Sequence, residues 1–426
     1  MRTITLLGAI SIGVGGMVGG GIFAVLGEAV SLAHSQTSIA FLIAGFIALL
    51  TSYSYAKLSV AYQSQGGTVC FIDKAFSHNL LSGSANLMLW LSYLVTISLY
   101  AVAFASYGET FFSNKSSLLH HILISIAIIL PSIINLISAS FVSKSETIIV
   151  AIKVILLIVI IGSGASYVDT QRLEFSSSLS TTSLIVAGMI IFVAYEGFEL
   201  IANAAKEIKE PEKNLPRAFY TSVIFVIILY ILIAIISIGT VPEVQLLQAK
   251  DYALAIAAKP ALGELGFTIV AIAALLATFS AINATIYGNA RLGYIIATEG
   301  ELPKILAKEK NSIPFMGIII ILALSLVLAN SIDINEIAII GSASFLLIFF
   351  IINLSAYKLR KEIKASKFIL ILSMLSTFFA LAILMQHTYV SNPNAIYVFL
   401  SFIALSITFE FLYGRLVRGH IFNRKY

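Results

Sequence analysis

The sequence predicts an all-α integral membrane protein of twelve transmembrane helices, and three observations predict it. Hydrophobic residues fill 59% of the 426 positions and charged residues only 11%, where an ordinary soluble domain carries about 25% charged residues. The apolar residues gather in twelve runs, each long enough to cross a hydrocarbon core of about 30 Å, which takes about 20 helical residues. The basic residues gather in alternate loops between those runs.

The runs fall at 5–32, 37–62, 80–112, 119–141, 146–167, 183–205, 217–240, 266–297, 314–330, 336–357, 366–387 and 394–414. Met1-Arg2-Thr3 leads straight into the first, with no small-residue cleavage site, so it reads as a retained span. The segment 242–265 is too polar to cross and is expected to form a surface helix. An even number of spans puts both termini on one side. With that side inside, 21 of the 26 basic residues are cytoplasmic, among them Lys206, Lys209, Lys213 and Arg217. Four lie outside (Lys115, Arg172, Lys250 and Lys259), and Lys153 falls within a span. This asymmetry is the positive-inside pattern. It expects a multi-pass protein of the cell membrane with both termini cytoplasmic, and the lipid bilayer as its surroundings.

Several function classes are excluded. A single cysteine, Cys70, allows no internal disulfide framework and no cysteine-based metal site. The six histidines sit at span ends or in loops without metal-ligand spacing. No nucleophilic triad and no phosphate loop are present, so the sequence predicts no catalytic residues, no metal ligands, no cofactor and no nucleic-acid partner.

Two spans look interrupted. The first holds Gly13, Gly15, Gly16, Gly19, Gly20 and Gly21 within nine residues. A glycine weakens a helix by about 1 kcal/mol relative to alanine. Two readings are open: close packing through small residues, or an unwound stretch lining a cavity, where the free amides of Gly19, Gly20 and Gly21 hold a carboxylate. The sixth span contains Ala194-Tyr195-Glu196-Gly197-Phe198-Glu199. A break there leaves carbonyls unpaired at the end of its first half, and these attract a cation such as an α-ammonium. Donors for an acid and acceptors for an amine suit a free amino acid. The expected substrate-binding residues are Val14, Gly15, Gly19, Gly20, Gly21, Phe192, Ala194, Tyr195 and Glu196. The two interrupted spans each open a block of five, 1–170 and 180–360. The odd number of spans makes the blocks inverted repeats, an arrangement that points to a transporter. Residues 361–426 add two peripheral helices.

Glu196 and Glu199 each cost about 2.5–3.5 kcal/mol in charged form at membrane depth. Each either stays uncharged or reaches a polar helix end, or it touches substrate or handles protons. Lys153 lies far from either end of Ile148–Ile161. It snorkels, pairs statically, or titrates. Burial disfavours the charged form of a lysine, so such a residue can carry a proton through a conformational cycle.

At this point the residues resemble a known family. Gly16-Met-Val-Gly-Gly-Gly-Ile-Phe23 resembles the first-span signature of the amino acid–polyamine–organocation (APC) superfamily, and Phe192–Glu199 its sixth-span motif. The loop Ala204–Arg217, the segment Ser280–Tyr294 and Glu299-Gly-Glu-Leu-Pro303 are also similar to it. Within the superfamily, Lys153 preceded by Glu146, and Ala255–Pro260, resemble the ApcT-type proton-coupled amino acid transporters. The resemblance implies a LeuT-type 5+5 inverted-repeat fold with broken helices 1 and 6, and substrate held between the breaks. It also implies a lysine amine in a former sodium site, hence H⁺ as the coupling ion and no bound Na⁺. The chain departs from the family at Glu196, usually apolar or an amide, and at Gly20, usually serine or alanine; the latter is expected to loosen the carboxylate pocket. A proton-coupled amino acid importer, monomeric or weakly oligomeric, is the reading that results. A polyamine or organic-cation carrier, an amino acid exchanger, and a receptor or channel are its rivals.

Overall fold

In a computed structural model, residues 2–137, 139–174, 180–311 and 313–419 are described, with the side chains of 139–147 set aside. The Glu146 side chain therefore lies outside the described residues. Seventeen α-helices follow in order, and no sheet is found among the described residues. The first pair, α1 (Leu6–Met17) and α2 (Gly21–Ala33), is one apolar run divided at Val18–Gly20. A sharp turn at His34 (φ +50°) separates α2 from α3 (Thr37–Ala61). The short α4 (Thr68–Phe76) leads into α5 (Leu80–Gly108), capped by Asn79 through a reciprocal bond with Ser82. Then come α6 (Ser117–Ile137) and α7 (Ala139–Gly164).

The second half repeats the interruption: α8 (Thr181–Ile190) and the four-residue α9 (Leu200–Asn203) flank irregular backbone. After α10 (Pro211–Thr240) come α11 (Glu243–Ala249) and α12 (Ala253–Ala257), then α13 (Lys259–Thr298), α14 (Phe315–Ser331), α15 (Ile334–Lys358), α16 (Lys367–Ser391) and α17 (Pro393–Tyr413). Ten described helical stretches are long and apolar enough to cross a membrane; α1 and α14 are apolar but shorter.

The packing is that of a membrane protein. Almost every residue of α5 from Ser82 onward is buried; it contacts α13, α15, α6 and α14 and forms the centre of the bundle. By contrast α6 exposes Leu118, Ile122, Ile126, Ile129, Ile133 and Ile137. Steps of three and four residues put these on one helix face. In water such a stripe is unfavourable at about 25 cal/mol per Å²; against lipid tails it costs nothing. The interrupted helices lie inside, α1 against α10 and α2 against α8.

The segment 242–265 differs from the expected surface helix. It forms α11, a 3₁₀ turn, α12 and the start of α13, and it buries Leu246, Ala249 and Leu254. It lies over α2 so tightly that the Lys250 carbonyl leaves no room for a Cβ on Gly27. Its polarity is absorbed by partners: Glu243 Oε1 lies 2.6 Å from His34 Nδ1, and Ser106 donates to Asp251 at 3.2 Å. At the opposite end, Ile4 and Ile208 form an isolated bridge, with the Ile4 amide donating to the Glu207 carbonyl at 2.9 Å.

Candidate functional site

Helix α1 ends where its glycines cluster. The Val18 amide donates to the Val14 carbonyl at 2.8 Å, and the Gly19 amide turns back to the Gly16 carbonyl at 3.3 Å. Gly21 then opens α2, so its amide and those of Ile22 and Phe23 have no acceptor within the helix. In the second interruption α8 stops at Ile190, earlier than the expected break at Tyr195–Gly197, and tightens into a 3₁₀ turn over Ile191–Tyr195. Ser342 on α15 fixes this early end. Its hydroxyl donates to the Ile190 carbonyl at 2.6 Å and accepts the Val193 amide at 3.0 Å. Glu196 is extended, and Gly197 adopts φ +120°, a conformation open to glycine.

The two breaks touch. A Cβ on Gly16 would lie 2.7 Å from the Gly197 carbonyl oxygen, and one on Gly21 2.7 Å from the Ala194 Cα. Tyr230 on α10 ties them together, its hydroxyl 2.7 Å from the Met17 carbonyl and 3.2 Å from the Ala194 carbonyl. Packing and unwinding therefore both describe the glycine run: Gly16 and Gly21 seat one break on the other, and Gly19 and Gly20 let α1 end.

Beside this crossing lies a cavity of about 140 Å³, lined by Ser11, Gly15, Gly16, Tyr100, Glu196 and Thr285 among others. A wider cavity of about 490 Å³ shares Ser11 and Leu200 with it and runs out past Ile4, Gln65, Glu207 and Arg291. Of the expected residues, Gly15 and Glu196 line the inner cavity. Val14, Gly19, Gly20, Gly21, Phe192 and Ala194 lie at the breaks and do not line it. Tyr195 points away; its hydroxyl donates to the Phe41 carbonyl at 2.8 Å.

The carboxyl groups have distinct surroundings. Glu199 accepts the Gly197 amide at 2.8 Å and the Tyr93 hydroxyl at 3.0 Å, so it satisfies backbone freed by the break. Glu196, only 3% exposed, lines the cavity with its carboxyl 3.4 Å from the Tyr100 hydroxyl. Lys153 is 1% exposed on α7, which packs on α1, α10 and α13. It lies three residues from Val150, a lining residue of the wider cavity.

Sequence reasoning missed Tyr100, one of many apolar and aromatic residues along the buried α5, where nothing local marks it out. Its ring occupies the place of the side chain absent at Gly20: a Cβ there would fall 2.1 Å from Tyr100 Cδ1. The pocket is thus filled rather than loosened at this position. Gly20→Ala is expected to cut the uptake rate about tenfold or more, and Tyr100→Ala in the same chain to restore part of it. Unchanged uptake by Gly20→Ala alone would contradict the contact.

With a cavity set between two interrupted helices, comparison with known proteins becomes decisive. A family model described as amino acid permease matches residues 8–418. The chain belongs to the amino acid permease family. The permease is 33% identical to an uncharacterized protein, MJ0609, of Methanocaldococcus jannaschii over 428 residues, 100% of this chain and 98% of that one. It is 34% identical to the inner membrane transport protein YbaT of Escherichia coli, over 88% of this chain and 87% of that one. The branched-chain amino acid permease BcaP of Bacillus subtilis is 22% identical over 82% of this chain and 79% of its own length. The permease is accordingly a multi-pass membrane protein of the APC superfamily, a transporter of amino acids and not an enzyme.

Proposed function

We propose that this permease imports amino acids together with protons across the cell membrane by alternating access. The observation that carries the reading is the 140 Å³ cavity beside the crossing of the two breaks, which shares Ser11, Ile12, Leu200 and Ala284 with the 490 Å³ cavity. In this reading α1–α2 and α8–α9 each count as one interrupted span, and with α14 the bundle has twelve. The two five-span blocks are LeuT-type inverted repeats. The substrate carboxylate meets amides at Gly19–Gly21, of which those of Gly20 and Gly21 are better placed because Gly19 already bonds to Gly16. Its amine meets carbonyls near Val14, Gly15, Phe192 and Ala194. The wider cavity is the cytoplasmic exit, because the basic residue Arg291 and the Ile4–Ile208 bridge stand at its mouth, on the side that the positive-inside pattern assigns to the cytoplasm. Both termini are then cytoplasmic.

Lys153 is the proton carrier. A buried amine gains or loses its proton when its surroundings change, and its place beside α1 puts it next to a helix that must move. H⁺ rather than Na⁺ is then the coupling ion. Uptake of radiolabelled alanine and lysine into proteoliposomes under an inward proton gradient tests the reading. Uptake of either, absent without the gradient, is expected; sodium-dependent uptake indifferent to pH would overturn the coupling.

One observation favours a second reading. Glu196 puts a carboxyl group into the cavity, which suits a cationic amino acid or a polyamine. Glu196→Gln is expected to shift the ratio of lysine to alanine uptake about tenfold toward alanine, measured by competition. Identical ratios would take Glu196 out of substrate selection.

A further inference from the structure

A second polar cluster lies away from the cavity. Asp73 near the end of α4, His78 in the turn before α5 and Glu301 after α13 bring one ligand atom each to within 4.8 Å of the others. Helical periodicity does not reveal this grouping, because three separate elements supply it. His78 Nδ1 stands 3.7 Å from Asp73 Oδ2 and 3.7 Å from Glu301 Oε1. Those separations are long for a hydrogen bond. They are close to the spacing of about 3.3–3.4 Å that two ligands adopt on a tetrahedral ion with bonds of about 2.0–2.1 Å.

The remaining carboxylate oxygens are held from behind. The Asn86 amide, fully buried at the start of α5, donates to Asp73 Oδ1 at 3.2 Å and to Glu301 Oε2 at 2.8 Å. One donor group thus orients both carboxylates so that Oδ2 and Oε1 face the histidine nitrogen. Such outer hydrogen bonds are how proteins aim metal ligands. Glu301 is 1% exposed and Asp73 9%.

We propose that Asp73, His78 and Glu301 bind one divalent transition-metal ion of the zinc, cobalt or manganese kind, with Asn86 orienting the carboxylates and a water completing the coordination. One imidazole and two carboxylates with an open position form a borderline N/O donor set, which suits these ions better than calcium or magnesium. The consequence is mechanical. Gly66 and Thr68, at the other end of α4, line a space next to Glu196. An ion fastening Asp73 and His78 to Glu301 ties this wall to the end of α13.

The test uses the full-length protein in detergent, stripped with a chelator and titrated with Co²⁺ alone. Visible absorption reports the ligand field and a melting curve reports stability. One Co²⁺ per chain with an imidazole-containing spectrum and a raised Tm is expected. His78→Ala, at a side chain 35% exposed, and the isosteric Glu301→Gln should each weaken binding at least tenfold while the metal-free chains keep the native elution profile. No binding to the native chain would overturn the proposal. So would an unchanged spectrum in both variants, which would place the ion elsewhere, for instance at the Glu109–His120 pair.

Discussion

Lys153→Ala is expected to abolish proton-driven accumulation while leaving exchange of substrate across the membrane. One pH unit is worth 1.36 kcal/mol per proton, so a carrier moving one proton per amino acid accumulates substrate about tenfold for each unit of inward gradient. Without the amine the same gradient should yield a ratio near one. Labelled substrate should still equilibrate with unlabelled substrate inside, because the cavity residues Gly15, Gly16 and Glu196 are untouched. Lys153→Arg should behave like the alanine variant, since a guanidinium does not release its proton in proteins. Full accumulation by Lys153→Ala in proteoliposomes would assign the proton to another group, with Glu196 the first to test.

Gly197→Ala is expected to reduce transport to background. At φ +120° a non-glycine residue is strained by about 1–3 kcal/mol. The new Cβ would also lie 2.4 Å from the Gly16 carbonyl carbon and 2.6 Å from its Cα. Backbone cannot rotate out of the way as a side chain can, so the two interrupted helices must separate. Gly162→Ala on α7 is the control: no atom lies within 4 Å of its Cβ position, and uptake and melting temperature should be unchanged. Near-normal uptake by Gly197→Ala would mean that the breaks do not touch during the cycle.

The sequence announced the membrane spans and both interruptions because each leaves a local mark: hydropathy for the spans, clustered glycines and intramembrane carboxyls for the breaks. Which surfaces meet was far less legible. The central α5 and the lipid-facing α6 are about equally apolar over their most apolar stretches. Lipid tails and a packed interior are equally apolar, so hydropathy does not separate them. Tyr195 shows the same limit. Its position beside the break suggested a cavity residue, but rotation about the helix axis turns its hydroxyl to Phe41, and Tyr100 from another helix lines the cavity instead. The segment 242–265 is helical as expected, but its partial burial over α2 was hidden for a different reason. Polar residues paired with one another, as Glu243 is with His34, can be packed over a helix, and sequence alone does not show the pairing.

The central claim, that protons enter with amino acids, is most directly tested by watching the protons. Sodium-free proteoliposomes carrying an internal pH dye would receive alanine or lysine on the outside, with the membrane potential clamped. Acidification of the interior that saturates with amino acid concentration is the predicted result. Amino acid entry with no change of internal pH would contradict it.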